Sequence, residues 1–197
     1  PRAAGRSWLA RCGVKASPER VVVTAGSQNA VFLALAALAE PGDEVLTEAL
    51  TYPGVKSAAD LLHLRLRGVT LDGEGMVPQA LDAAAAGGAR LVYLVPTLHN
   101  PTTATMSRRR RRQIAEVVRR HGLTIIEDDI HALLLPKGKR PSPLAALVPE
   151  QTVYVAHTAK LIAPALRVSY VAAPPSIVEG IVSAVQGSLW MTPPLGA

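Results

Sequence analysis

Cysteine and aromatic residues are scarce in this 197-residue chain, which has one cysteine, one phenylalanine, two tryptophans and four tyrosines. The single cysteine, Cys12, cannot form an internal disulfide and has no second cysteine with which to bind a metal. No apolar run reaches the roughly 18 residues of a membrane span, and residues 1–13 lack the apolar segment of a signal peptide. The sequence therefore argues against a disulfide-stabilised secreted domain and against a membrane protein, and it predicts a cytoplasmic protein.

Much of the formal net charge of +6 lies in residues 107–122, SRRRRRQIAEVVRRHG. Ser107 can cap a helix here. The inward face of this helix is marked by Ile114, Val117 and Val118. We interpret the arginines of the range Arg108–Arg120 as a solvated helix face, on which any inward side chains extend along the core to the surface. The alternative is that this helix binds nucleic acid, with an affinity that falls steeply as salt is added.

Apolar residues make up 49% of the chain, which is enough for one domain with a sizeable core. Short β-branched runs alternate with amphipathic segments, a pattern typical of a parallel sheet covered by helices. The β-branched runs predict strands within residues 20–26, 44–48, 64–72, 89–96, 122–129, 151–157 and 166–174. The amphipathic segments predict helices near residues 28–38, 78–86, 107–122 and 176–186, and one more after the TYPG segment. We therefore predict an α/β fold with three layers, α/β/α, around a mostly parallel seven-stranded sheet.

Polar and chemically varied segments follow these strands, whereas the strands themselves are apolar. The segments AGSQNA, PTLHNPTTATM, EDDIHALL and HTAK follow the first, fourth, fifth and sixth strands. Ligands of such sheets bind beyond the carboxyl ends of the strands, where the connecting loops converge. We therefore expect the functional site at this edge of the sheet.

The polar residues at the strand ends each have a structural as well as a functional interpretation. The turn at Gly26 leaves the amides of Ser27 and Gln28 at a helix N-terminus, an arrangement that suits a phosphate or simply caps the helix. Arg167 either pairs with an acid or binds an oxyanion. Asp128, one of two adjacent aspartates, is expected to face inward beside a cationic partner.

The same choice applies to three further residues. Asn100 precedes a proline and could be a turn former, and Tyr52 precedes Pro-Gly and could be a turn anchor. Lys160 lies in the largely apolar run HTAKLIAPALRVSY, although a lysine is almost never fully buried without a partner or a function. We expect desolvation among these apolar neighbours to keep its amine unprotonated.

One cofactor would use all of these groups together. Pyridoxal phosphate needs a lysine amine for a Schiff base, an acid facing its pyridinium nitrogen, donors for its phosphate and a hydrogen bond to its phenolic oxygen. These groups could come from Lys160, Asp128, Asn100 and Arg167, together with the Gly-Ser-Gln turn. The acid would keep the ring nitrogen protonated, so that the ring could withdraw electrons from an amino acid that loses its α-proton.

The order and spacing of the segments TAGSQNA, TYPG, HNPTTATMS, IIEDDIHALL and TAKLIAPALRVSYVAAPP resemble the large domain of the class I/II, fold-type I pyridoxal-phosphate aminotransferases. The similarity covers nearly the whole chain and is greatest to the aminotransferase-like domains of MocR-type regulators of the GntR group. In those regulators a DNA-binding winged helix precedes such a domain. The last segment, GSLWMTPPLGA, is also similar to them.

The resemblance implies a role for each matching residue. Lys160 is the Schiff-base lysine, and Asp128 is the partner of the pyridinium nitrogen. Asn100 binds the phenolic oxygen, and Tyr52 covers the ring. The implied phosphate ligands are Ser27, Gln28 and Arg167.

Three positions depart from the family pattern. The family usually has hydroxyl residues where this chain has His157 and Ala159, and it commonly has a tyrosine where this chain has Ile130 followed by His131. We predict that His157 contacts the phosphate and that His131 donates to the phenolic oxygen. One hydrogen bond to a charged group contributes about 1.5–3 kcal/mol, so the departures weaken the case for efficient transamination more than the case for cofactor binding.

Members of the family begin with an N-terminal segment that helps to close the site, and they continue into a smaller C-terminal domain whose arginine binds the substrate carboxylate. We therefore expect residues 1–197 to be one large domain, a fragment that lacks both parts and the carboxylate-binding residue. The resemblance also implies a homodimer, an amino-acid or 2-oxo-acid ligand, and DNA contact only through a fused winged-helix domain outside this chain. The favoured function is cofactor and amino-acid sensing in a transcriptional regulator, and the alternative is a stand-alone aminotransferase.

Overall fold

Nine strands are present in the computed structural model, which describes residues 1–192. The strands are β1 (Val21–Thr24), β2 (Glu44–Glu48), β3 (Arg65–Val69), β4 (Leu71–Asp72), β5 (Gly75–Met76), β6 (Leu91–Leu94), β7 (Thr124–Asp128), β8 (Thr152–His157) and β9 (Ser169–Ala172). Strands β4 and β5 form a small hairpin, and the other seven form one sheet in the order β1-β9-β8-β7-β6-β2-β3. The segment GSLWMTPPLGA and the predicted domain both end at residue 197, and their last five residues, 193–197, lie outside the described residues.

The sheet is mostly parallel, as the sequence predicts. Strands β3, β2, β6, β7 and β8 run parallel to one another, and β9 pairs antiparallel with both β8 and β1. Two antiparallel pairings in succession restore the direction, so β1 runs the same way as β8. The carboxyl ends of β1, β6, β7 and β8 therefore meet at one edge of the sheet, where the polar segments follow them.

Six helices cover the sheet. They are α1 (Arg2–Cys12), α2 (Ser27–Leu38), α3 (Pro53–Leu61), α4 (Pro78–Ala85), α5 (Arg108–His121) and α6 (Pro175–Leu189). Helices α2, α3 and α6 pack on one face through one apolar cluster. Helices α4 and α5 pack on the other face, and α1 packs on that face beside β8 and β9. Strands β6 and β8 are buried along their whole length, as expected for a sheet covered on both sides. The predicted three-layer α/β/α architecture is confirmed.

Five of the seven arginines of helix α5 are exposed, as predicted for a solvated face, and the two exceptions are Arg110 and Arg111. The Ser107 hydroxyl accepts a hydrogen bond from the Arg110 amide at 3.1 Å, which confirms the predicted cap. The Arg110 side chain is buried and pairs with Asp72 at 2.8 Å. Arg111 is only 1% exposed, and its Nη2 donates to the Pro96 carbonyl oxygen at 2.9 Å. The prediction that inward arginines reach the surface is wrong for Arg111, because buried acceptors lie within its reach.

Two more arginines of α5 are engaged within the chain. Nη2 of Arg119 donates to the Leu147 carbonyl oxygen at 2.7 Å, and Nη1 of Arg120 lies 2.8 Å from Oδ1 of Asp82. The ion pairs of Arg110 and Arg120 with aspartates offset two of the positive charges on α5. Within residues 1–192, no helix combines the length and the apolar character needed to cross a membrane.

Candidate functional site

A cleft of about 260 Å³ lies beyond the carboxyl ends of β1, β6, β7 and β8. Its lining contains all nine residues that the sequence proposes for a cofactor: Ser27, Gln28, Tyr52, Asn100, Asp128, His131, His157, Lys160 and Arg167. These residues are separated by up to 140 positions in sequence, so their convergence is a property of the fold. The individual contacts of each residue with a cofactor stay predictions.

A larger cleft, of about 390 Å³, lies near the amino ends of β2 and β6 and is lined by residues 38, 39, 42–44, 65 and 87–91. None of the nine proposed residues lines it. We assign the functional site by the chemistry of the lining rather than by volume, because the smaller cleft gathers a lysine, an aspartate, two histidines and an arginine.

The turn between β1 and α2 forms one end of the cleft. Gly26 has a φ of +100°, and a Cβ there would lie 2.5 Å from Nη2 of Arg167. The guanidinium therefore packs directly on this glycine, beside the first backbone amides of α2. None of the ion pairs among residues 1–192 includes Arg167. An arginine beside a helix N-terminus, with no acid paired to it, is a suitable site for a phosphate.

His157 lies at the end of β8, in the wall of the cleft. Its ring is buried, and Nε2 has no hydrogen-bond partner in the described structure. Burial, followed by the charges of Arg167 and Lys160, lowers the pKa of His157 to about 4. The hydroxyl of the next residue, Thr158, donates to the Val168 carbonyl oxygen at 3.0 Å and so is not free to replace a phosphate-binding hydroxyl. His157 is therefore a neutral ring whose Nε2 could donate to an anion.

The side chain of Gln28 connects α2 to the start of α3. Its Nε2 donates to the Gly54 carbonyl oxygen at 2.8 Å, and its Oε1 is buried without a partner. A Cβ at Gly54 would collide with Gln28 Oε1 and with Cε1 of Tyr52, so a larger residue there would displace both side chains. The backbone amide of Gln28 is therefore the group that it can offer to a phosphate. Its side chain instead orders the loop that carries Tyr52.

Asp128 and Asp129, at the end of β7, are both buried. Oδ2 of Asp128 accepts a hydrogen bond from the Tyr93 hydroxyl at 2.8 Å, and Oδ2 of Asp129 accepts one from the Tyr154 hydroxyl at 2.9 Å. Among residues 1–192 no cationic side chain pairs with Asp128; the phenol of Tyr93 engages Oδ2, and Oδ1 is left without a partner. Burial raises the pKa of Asp128 to about 6; the Tyr93 hydrogen bond opposes this rise and Asp129 adds to it.

The sequence interpretation missed the two tyrosines. A signal was present, since each tyrosine lies inside an otherwise apolar buried strand, in the segments LVYL and TVYVAH. A buried phenol needs a hydrogen-bond partner, and the aspartates that end β7 are acceptors within reach.

Lys160 lies in the irregular segment after β8, and its side chain is exposed at the cleft. Its apolar neighbours Leu161 and Ile162 are 45% and 61% exposed. The prediction that these neighbours bury and desolvate the lysine is therefore wrong, because the apolar run forms a surface loop rather than part of the core.

His131 and Asn100 complete the lining on the side of β6 and β7. Nδ1 of His131 is buried without a partner, and burial, followed by the charge of Lys160, lowers the pKa of this histidine. The loop of Asn100 is held by His99, whose Nδ1 lies 2.8 Å from Oγ1 of Thr102. Both His131 and Asn100 can therefore present a polar group to the cleft, and the His99 contact orders the loop that carries Asn100.

Comparison with known proteins agrees with this geometry. The profile of the family "Aminotransferase class I and II" matches residues 5–195. The uncharacterized HTH-type transcriptional regulator YdeF of Bacillus subtilis is 36% identical over 179 residues, which cover 90% of this chain and 38% of that protein. The aminotransferase swnA of Metarhizium robertsii is 37% identical over 171 residues, which cover 80% of this chain and 34% of that protein.

The same fold occurs in a solved structure. LysN, the α-aminoadipate aminotransferase of Thermus thermophilus, complexed with N-(5'-phosphopyridoxyl)-L-leucine, superposes with a TM-score of 0.89 at 30% identity. The match covers 99% of this chain and 50% of LysN, so the chain spans half or less of the length of these relatives. By its sequence, its fold and the polar edge of its sheet, the chain belongs to the class I and II aminotransferase family.

Proposed function

We propose that this chain binds pyridoxal 5'-phosphate in the cleft at the carboxyl edge of the sheet and serves as the cofactor- and amino-acid-sensing domain of a MocR-type transcriptional regulator. The observation that carries the proposal is the convergence of Lys160, Asp128 and Arg167 on one cleft. The similarity to YdeF, which is named an HTH-type transcriptional regulator, supports the regulatory role. The complex of LysN with a phosphopyridoxyl amino acid supports the cofactor.

The residues of the cleft fit the parts of this cofactor. Lys160 offers its amine to the aldehyde from the mouth of the cleft, and Asp128 offers Oδ1, which is buried without a partner, to the ring nitrogen. Tyr52 covers the ring. The groups for the phenolic oxygen are Asn100 and His131. The groups for the phosphate are Ser27, Gln28, His157 and Arg167.

The bound cofactor would supply an electron-withdrawing ring for bonds at the α-carbon of an amino acid. The protein residues would orient that ring and control its protons. An ionised Asp128 favours a protonated ring nitrogen, and Nζ of Lys160 is the basic atom at the mouth of the cleft that could carry a proton to or from the substrate.

The second candidate is a stand-alone aminotransferase. It is supported by the 37% identity to swnA and by the presence of the lysine, aspartate, asparagine and arginine that the family pattern requires. The replacement of hydroxyl residues by His157 and Ala159 favours sensing instead. Both proposals include a homodimer and a cytoplasmic location. The fold supports the homodimer, and the single cysteine, which is buried, is consistent with the cytoplasmic location.

The absorbance spectrum of the full-length protein with pyridoxal phosphate, recorded before and after a panel of amino acids, tests these proposals. Binding should turn the protein yellow, and a responsive amino acid should shift the band. A sensor should change its DNA affinity without releasing a 2-oxo acid at a useful rate, whereas an aminotransferase should release one continuously. A protein that stays colourless at saturating cofactor would contradict both.

Replacement of His157 by alanine should weaken cofactor affinity about tenfold, because one hydrogen bond to the phosphate is lost. Cofactor titration followed by absorbance measures this change. His63→Asn is the matched control, since His63 is exposed outside the cleft and its φ of 54° is one that asparagine tolerates. Equal affinities for His157→Ala and the wild type would remove His157 from the phosphate site.

A further inference from the structure

Two buried tyrosines meet the adjacent aspartates at the end of β7 from opposite sides of the sheet. Tyr93, on β6, belongs to the apolar cluster beneath α2, α3 and α6, whereas Tyr154, on β8, belongs to the cluster beneath α1. Both rings are completely buried, and each hydroxyl donates to Oδ2 of one aspartate, Asp128 or Asp129. The two pairs are thus alike in chemistry and burial and differ in the face of the sheet on which they lie.

The hydrogen bond of Tyr93 distinguishes the two oxygens of Asp128. Oδ2 is engaged at 2.8 Å, and Oδ1 is buried with no partner in the described structure. Asp128 lines the cleft, whereas Asp129 does not. Without a donor on one oxygen, a carboxylate can rotate about its last torsion and exchange its oxygens. With Tyr93 in place, the oxygen left for a group in the cleft is Oδ1.

We propose that Tyr93 is a positioning residue, which holds Oδ2 of Asp128 so that Oδ1 meets the ring nitrogen of the cofactor and remains an acceptor. This inference rests on the proposed function, since it names the residue that orients the acid of that site. Tyr154 has no such role, because the aspartate that it binds lies outside the cleft.

The electrostatics of the pair agree with this geometry. Burial is the largest effect on Asp128 and raises its pKa. The Tyr93 hydrogen bond and then the backbone amide of Ile130 lower the pKa, and the carboxylates of Asp129 and of Glu48, at the end of β2, raise it. Removing the phenol hydroxyl would therefore raise the pKa of Asp128 further. A protonated carboxyl no longer attracts a protonated ring nitrogen, so cofactor affinity should be present above the pKa of Asp128 and lost as the pH falls through it.

The test compares Tyr93→Phe with the matched control Tyr154→Phe in the full-length protein. Pyridoxal phosphate affinity is measured by absorbance titration at a series of pH values. The wild type should lose affinity as the pH falls through about 6. In Tyr93→Phe this midpoint should rise by about one pH unit, the effect of one hydrogen bond to a charged group. In Tyr154→Phe it should stay in place.

The outcomes separate this inference from the proposed function. A wild-type protein that binds no cofactor would overturn the proposed function itself. If the wild type binds cofactor and Tyr93→Phe keeps the wild-type midpoint, or if both variants shift upward equally, Tyr93 is not a positioning residue. Circular dichroism establishes that each variant is folded.

A second measurement covers the case in which Tyr93→Phe does not fold. Incorporation of 3-fluorotyrosine at position 93 keeps the shape of the ring and makes the hydroxyl a stronger donor. The midpoint should then move to lower pH, because a stronger hydrogen bond favours the ionised form of Asp128. An unchanged midpoint, with the same substitution at position 154 also without effect, would overturn the inference.

Discussion

Lys160→Ala is expected to abolish the visible absorbance band that pyridoxal phosphate gives with the full-length protein. The band requires a covalent bond between the cofactor aldehyde and an amine, and Lys160 is the one lysine among the residues that line the cleft. Noncovalent binding should persist with lower affinity, because Arg167 and the first amides of α2 still face the phosphate. Borohydride reduction followed by peptide mass analysis should find the modified residue at position 160 in the wild type and unmodified peptide in the variant.

The control for this experiment is Lys137→Ala, since Lys137 is exposed in a loop and does not line the cleft. The control should keep the band at full intensity. A band of wild-type intensity in Lys160→Ala, or a reduced cofactor found on Lys137 or Lys56, would show that the amine comes from another part of the chain. The proposed function would then lose its principal residue.

That the nine proposed residues share one cleft was accessible from sequence, because polar residues of the required chemical types follow strands whose carboxyl ends meet at one edge of the sheet. The environments of these residues could not be inferred from the sequence in the same way. The apolar run around Lys160 suggested burial, yet Leu161 and Ile162 lie on the surface. Hydrophobic character along a segment does not tell a core strand from a loop that borders a site, because burial depends on which other segments pack against it.

Most of the fold followed from pattern, and the exceptions have physical causes. The seven predicted strands correspond to the seven strands of the main sheet, with the third also covering β4, and the predicted helices correspond to five of the six helices; strand β5 was not predicted. Helix α1 was missed because only Gly5, Leu9 and Cys12 are buried, so its sequence carries a weak apolar stripe. Its position depends on packing against β1 and β9, and β9 lies near the other end of the sequence, so this packing cannot be inferred from local periodicity.

The partners of buried charges were also beyond sequence reasoning. The side-chain partner of Asp128 is the phenol of Tyr93, which the sequence analysis does not anticipate, and Arg111, expected to reach solvent, is buried beside Glu127. Such pairings depend on the register between strands and on the angle at which α5 crosses the sheet. The spacing of residues within a short segment specifies neither the strand register nor this crossing angle.

Arg111→Met is expected to destabilise the protein by about 3–5 kcal/mol, because it removes the cation from a buried pair and leaves the anion behind. Nη1 of Arg111 lies 3.5 Å from Oε1 of Glu127, and both side chains are completely or almost completely buried. Glu127 also accepts hydrogen bonds from the amides of Leu144 and Ala145. Burial, followed by the charge of Asp129, raises the pKa of Glu127, and Arg111 opposes that rise, so without Arg111 the buried carboxyl must either take up a proton or remain an uncompensated anion. Urea unfolding of the variant and the wild type measures the difference.

The same substitution should reach the site through the loop that carries Asn100. Arg111 donates to the carbonyl oxygen of Pro96 at 2.9 Å and to that of Met106 at 3.2 Å, so it holds both ends of this loop. Cofactor affinity should therefore fall together with stability. Arg112→Met, one position along on the exposed side of α5, should change stability by no more than about 0.5 kcal/mol.

A double variant separates the lost charge pair from the lost packing. Adding Glu127→Gln to Arg111→Met removes the uncompensated carboxylate and keeps an acceptor for one of the two amides, so part of the stability should return. Cofactor affinity should stay low in the double variant, because the bonds from Arg111 to Pro96 and Met106 are still absent. If Glu127→Gln restores no stability, the large effect comes from the loop contacts alone. If affinity returns with stability, the loop of Asn100 does not depend on Arg111, and the link between this buried pair and the cleft is wrong.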